Sequence, residues 1–210
     1  MAAGIARVKG AKRLDIRIGN WLTAEQGKTL FQETRSETLR GKRDHAILAV
    51  LLGCGLRRAE IVAMRIEDLQ IREEHRVVAD LVGKSRHVRT LPMPTWVKKA
   101  IDDWTAAAEI SEGVIFRRIS KEGKVWGPGI TSKAIWHVVK AAAKRGGLQN
   151  LAPHDLRRRT CVRLCHLAGG ELEQIQFLLG HVSVLTTEKY LGCKQKLPHA
   201  VNDNLGLETG

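Results

Sequence analysis

Apolar positions follow a helical period along most of this chain and a strand period over one short stretch. Helical pattern begins at "WLTAEQGKTLFQET", where Thr23 can cap the first turn and Gln26, three residues on, completes a capping box. Residues 44–52 read as a buried helix ended by Gly53 and Gly55, and a second helix follows at "RRAEIVAM". The period then changes. "RVVADLV" and "HVRTLPM" are rich in β-branched residues and flank "GKSR", which predicts a hairpin with Lys84 at its tip, and "LQIR" just before adds a third strand. Helices return at 97–109 and 131–145. Gly146, Gly147 and Pro153 punctuate the chain before a helix over 155–168, and Gly169-Gly170 separates it from "ELEQIQFLLG" with its apolar stripe Leu172, Ile175 and Leu179. The pattern, free of internal repeats, predicts a fold that is mainly α with a small three-stranded antiparallel β-sheet, an α+β arrangement.

Composition narrows the class. A chain of 210 residues makes one generous domain or two small ones, and 43% hydrophobic content supports a core. The 35 Lys+Arg exceed the 22 Asp+Glu by 13, and the pI is near 10.0. Such a surplus favours a polyanionic partner. No apolar run reaches the roughly 18 residues that span a bilayer. The longest, "AILAVLLGCGL", has the length of a buried core helix, so no membrane partner is expected. Residues 1–19 read as a flexible basic arm (Arg7, Lys9, Lys12, Arg13, Arg17) with no apolar segment of a secretory signal behind it. The four cysteines form neither a metal-ligand spacing nor a dense disulfide framework, so a cytoplasmic protein with reduced thiols is expected. Aromatic residues make up only 4%, which argues against base stacking on single strands and for duplex DNA held through its phosphates.

Candidate chemistry lies in four short stretches, each with a plain alternative. In "GCGLRRAE", Arg57 stands at a helix start after glycines, where it can grip a phosphate bidentately or pair with Glu60 at i+3. Glu60 reads as orienting an arginine or capping the packing, not as a base. "PHDLRRRT" puts His154 and Arg157 near the first turn of one helix, in a stretch holding Lys140, Lys144, Arg145, Arg158, Arg159 and Arg163 against the single acid Asp155. His181 follows the C-cap glycine Gly180, a favourable place for any histidine on dipole grounds. Lys84 at a hairpin tip suits a solvated turn equally well. Tyr190 is the single tyrosine of the chain. Cys161, Cys165 and His166 share a helix but lack a second ligand pair, so no metal site is expected, and no cofactor.

Taken in order, "GLRRAE", "GKSRHVRTLP", "PHDLRR" and "LLGHVSVLTTEKYL" resemble the motifs of the tyrosine recombinase (phage integrase) family, over residues 20–195. The resemblance implies that family's catalytic-domain fold and an enzyme that cuts and rejoins duplex DNA through a 3′-phosphotyrosyl intermediate, as type IB topoisomerases do. It makes Tyr190 the nucleophile, Arg57 and Arg157 the clamps on the phosphate, His181 a further hydrogen bond, Lys84 the general acid and His154 the aid to proton removal. No divalent metal is required, because the arginines supply the charge. The third arginine of "RRRT" departs from the family pattern and makes Arg158 a second candidate for the Arg157 role, although His-x-x-Arg spacing favours Arg157.

The resemblance also implies a homotetramer in a DNA synapse, weakly associated or monomeric without DNA, in a prokaryotic or phage-like setting on the nucleoid. Residues 196–210, with Leu197, Ala200, Val201 and Leu205, are either a mobile terminus or a helix docked on a neighbouring subunit. Family members carry an N-terminal DNA-clamp domain, whereas only about 20 residues precede the pattern here. A naturally short enzyme and a fragment are both compatible with that. A catalytically silent DNA-binding or regulatory module is the alternative function, and a metal-dependent nuclease is disfavoured for want of clustered carboxylates.

Overall fold

Thr23 opens the first helix as its spacing predicts. Its hydroxyl accepts the Gln26 backbone N–H at 3.2 Å, and the Gln26 side chain takes the Thr23 N–H at 3.0 Å. This helix, α1 (Ala24–Gln32), is the first element of a computed structural model that describes residues 22–82, 88–148 and 150–180.

The next helix, α2 (Leu39–Ala49), starts before the bound expected at residue 44, because Thr38 caps it by accepting the Gly41 N–H at 3.1 Å. It does not stop at Gly53. The chain continues through a π turn, Val50–Cys54, and ends at Gly55, whose φ of 57° is the left-handed conformation that favours glycine. After α3 (Arg58–Ala63) come β1 (Leu69–Arg72), β2 (His75–Val82) and β3 (Val88–Pro92), an antiparallel sheet in the order β1-β2-β3. β1 turns into β2 through Glu73 and Glu74, both at positive φ (49° and 63°), as tight two-residue hairpins require. β2 bulges between Val78 and Leu81, with Asp80 at φ 51°.

α4 spans Thr95–Ala107 and α5 spans Ser132–Arg145, each within two residues of the expected bounds. Between them β4 (Arg118–Ile119) and β5 (Val125–Trp126) form a second, two-stranded sheet absent from the sequence reading. The helix expected over 155–168 is present but divided into a single turn α6 (Pro153–Asp155), a π segment (Leu156–Cys161) and α7 (Val162–Leu167). α8 (Leu172–Leu179) closes at Gly180, φ 61°.

One core joins these elements. Ile47, Leu48 and Leu51, Leu91 of β3, Ile101 and Trp104 of α4 and Val139 of α5 are buried in it. Gly53 allows α4 to lie close, since a Cβ there would come within 2.4 Å of Val97. The Trp104 indole N–H donates to the Ile115 carbonyl at 2.9 Å, so the largest buried side chain leaves no polar atom stranded. Val162 of α7 with Ile175 and Leu179 of α8 form a smaller apolar cluster. The two π segments pack against each other, and that contact positions the site. No helix among the described residues is long and apolar enough to cross a membrane.

Candidate active site

The left-handed turn at Gly55 delivers Arg57 in extended conformation (φ −74°, ψ 151°) to the start of α3. Glu60, one turn into the helix, folds back on it. Its Oε2 accepts the Arg57 backbone N–H at 2.7 Å and its Oε1 accepts Arg57 Nη1 at 2.7 Å. Arg89, on β3, grips the same carboxylate as a fork, Nη1 to Oε1 and Nη2 to Oε2, both at 3.1 Å. The Glu60 side chain is 5% exposed, against 30% for Arg57 and 11% for Arg89. Burial by itself would raise the Glu60 carboxyl, but hydrogen bonds from Arg89 and Arg57 outweigh it and hold the group below its ordinary range. Glu60 is thus the shared carboxylate partner of two guanidiniums, which matches its reading as an orienter of arginine.

Arg157 lies within the π segment after α6 and is buried. Its Nε donates to the Gly55 carbonyl at 2.6 Å and its Nη2 to the Leu179 carbonyl at 2.7 Å. Two carbonyls fix a guanidinium in place without cancelling its charge. Gly55 stands two positions before Arg57, and Leu179 two positions before His181. One side chain therefore fastens the first arginine turn to the end of α8. The approach is close, because a Cβ on Gly55 would sit 3.2 Å from Cys161 Sγ.

His154 is exposed, second in α6 after Pro153, in a turn secured by the Ala152 N–H donating to Asp155 Oδ2 at 3.1 Å. Lys84, His181 and Tyr190, and the side chain of Arg158, lie outside the described residues. The structure therefore joins the turns that carry Arg57 and Arg157 and sets His154 one helical turn ahead of Arg157.

Arg89 is absent from the sequence reading, although a signal for it exists. It shares a strand face with Leu91, which is fully buried. An arginine in a core-facing register needs a buried counter-charge, and Glu60 supplies it. Close by, burial pushes the Cys54 thiol up to about 12, whereas a hydrogen bond from Cys161 lowers that of Cys165. Among the described residues no group of three or more His, Cys, Asp or Glu side chains is placed to hold a metal ion.

Comparison with known proteins agrees with this architecture. Tyrosine recombinase XerC of Pseudomonas fluorescens is 30% identical over 192 residues, covering 90% of this chain and 60% of the relative. The chain thus spans about 60% of the length of the curated relatives it matches. XerA recombinase superposes with a TM-score of 0.66 at 24% identity, over 85% of this chain and 61% of its own. XerH site-specific recombinase bound to difH substrate gives 0.67 at 16% identity, over 85% and 52%. Both structures share the fold. Since the phage integrase family model matches residues 20–196, the chain belongs to the phage integrase family, the tyrosine recombinases.

Proposed function

We propose that this chain is the catalytic domain of a site-specific recombinase that cleaves and rejoins duplex DNA through a 3′-phosphotyrosyl intermediate. The observation that carries the reading is the pair of carbonyl bonds from Arg157, to Gly55 and to Leu179. They hold a buried positive charge between the turn that presents Arg57 and the end of α8, which supports a role for both arginines on one phosphate.

In the reaction the Tyr190 phenol oxygen attacks phosphorus. The new P–O bond forms as the bond to the 5′ oxygen of the next nucleotide breaks. Arg57 and Arg157 hold the non-bridging oxygens as negative charge develops on them. His181 adds a hydrogen bond to the same oxygens. Lys84 gives its proton to the departing 5′ oxygen, and His154 assists removal of the phenol proton. A phenol, with a pKa of about 10, ionises and departs more readily than a sugar hydroxyl, so the reverse step rejoins the strand without an external energy source.

The excess of 13 positive charges supports duplex DNA as the partner, as does the difH substrate bound in the XerH structure. In this reading residues 20–195 form the catalytic domain, 1–19 a basic arm and 196–210 a tail that docks on a neighbouring subunit. Four copies act in a DNA synapse and associate weakly without DNA, in a prokaryotic or phage-infected cytoplasm, on the nucleoid.

The test is a nicked duplex whose short end fragment diffuses away after cleavage, labelled on either side of the scissile bond, with EDTA present. An SDS-resistant protein–DNA band carrying the label on the 3′-phosphate side is expected. Salt-sensitive duplex binding without any adduct identifies a silent binding module instead, and an adduct at the 5′ side contradicts the polarity.

A further inference from the structure

We propose that Arg89 is a positioning residue of the cleavage site: it neutralises Glu60, so that the charge of Arg57 is left for the scissile phosphate. The proposal rests on the recombinase reading above. Arg57 and Glu60 by themselves sum to zero. A buried carboxylate 2.7 Å from Arg57 Nη1 would cancel most of what that arginine offers to a phosphate oxygen. Arg89 changes the sum. Its fork spans both Glu60 oxygens, and the three side chains together carry one net positive charge.

Burial distributes that charge. Glu60 and Arg89 are the two enclosed members, at 5% and 11% exposure, and Arg57 is the exposed one at 30%. Among the described residues Arg57 Nε and Nη2 make no hydrogen bond, and Glu60 is the one side chain that Arg57 touches with a charge. Arg57 thus keeps donors for a phosphate while its Nη1 fixes the direction of the guanidinium.

The placement of Arg89 links three segments. β3 leads away from the stretch that contains Lys84. The guanidinium reaches across to α3. It also lies under the end of α8, where a Cβ on Gly180 would meet Arg89 Nη1 at 2.9 Å and Cδ at 3.0 Å. A purely architectural ion pair is the competing explanation, and it predicts a loss of fold rather than a loss tied to phosphate charge.

The experiment compares wild type, Arg89→Met and Arg89→Lys in single-turnover adduct formation at saturating DNA. Each protein meets two nicked duplexes, one with the natural scissile phosphate and one with an uncharged methylphosphonate there. On natural DNA Arg89→Met is expected to slow cleavage about 10- to 100-fold, less than removal of a direct oxyanion donor, with DNA affinity within about twofold. On the methylphosphonate, where little charge needs neutralising, wild type and Arg89→Met are expected to lie within about threefold. Arg89→Lys, which still neutralises Glu60, is expected to recover part of the rate on natural DNA. Equal rates for Arg89→Met and wild type on natural DNA overturn the proposal. So does an equal slowing on both substrates, or Arg89→Lys no faster than Arg89→Met. If wild type forms no adduct on natural DNA, the recombinase reading itself is at fault.

Discussion

Arg57 and Arg157 play equal parts in the proposed chemistry but unequal parts in the fold, and their alanine variants separate the two. Arg157→Ala removes two charge-assisted hydrogen bonds and strands the carbonyls of Gly55 and Leu179 in a buried setting. Each such bond is worth about 1.5–3 kcal/mol, and some of that is returned because a buried guanidinium no longer has to be desolvated. A net loss of about 3 kcal/mol follows, which for a domain of this size lowers the melting temperature by about 6–12 °C. Arg57→Ala leaves the Arg89 fork on Glu60 intact, and the Arg57 backbone N–H still donates to the carboxylate. Among the described residues one contact of a part-exposed side chain is lost, worth about 1 kcal/mol or less, a fall of at most about 4 °C. Thermal unfolding followed by circular dichroism at one pH and salt concentration measures both. If Arg157→Ala melts within about 2 °C of wild type, or if Arg57→Ala falls as far as Arg157→Ala, the division of labour between the two arginines is wrong.

Three further outcomes follow from neighbouring residues. Gly55→Ala places a Cβ at φ 57° and 3.2 Å from Cys161 Sγ, and should cost about 1–3 kcal/mol in urea unfolding. The Glu60 carboxyl is held below its ordinary value of 4.5, so its contribution to stability is present above that pH and lost as pH falls through the folded value. Melting temperature should therefore drop on acidification below pH 4.5 more steeply in wild type than in Glu60→Gln. Cys165, its thiol lowered by Cys161, should alkylate with iodoacetamide at neutral pH at least about tenfold faster than the fully buried Cys54, as read by peptide mass spectrometry.

Much of the fold is legible where local chemistry decides it. The Thr23–Gln26 box and the β-branched runs of β2 and β3 needed no long-range information. The π segments were not legible, because a wide turn adds a residue without changing the residue types that a 3.6 period counts. Val50–Cys54 and Leu156–Cys161 are stabilised by packing on each other across the chain, and that is a tertiary effect. The Glu73-Glu74 turn lacks the Asn or Gly that usually marks positive φ, and β4 and β5 are two residues each, too short for a period. In the site, the order Arg57, His154, Arg157 could be read along the chain. The tie from Arg157 to Gly55 spans 102 positions and that from Arg89 to Glu60 spans 29, so neither could be seen locally. In a chain with 35 lysines and arginines, one more arginine on a strand looks like solvated surface until its register with Leu91 is noticed.

The most direct measurement is the identity of the residue that holds the DNA. After trapping on a nicked duplex, nuclease trimming and trypsin digestion, the nucleotide remnant should lie on the peptide "YLGCK", which follows Lys189 and contains the chain's one tyrosine, Tyr190. Tyr190→Phe should give no adduct. A remnant on any other residue, or an adduct that persists in Tyr190→Phe, contradicts the account.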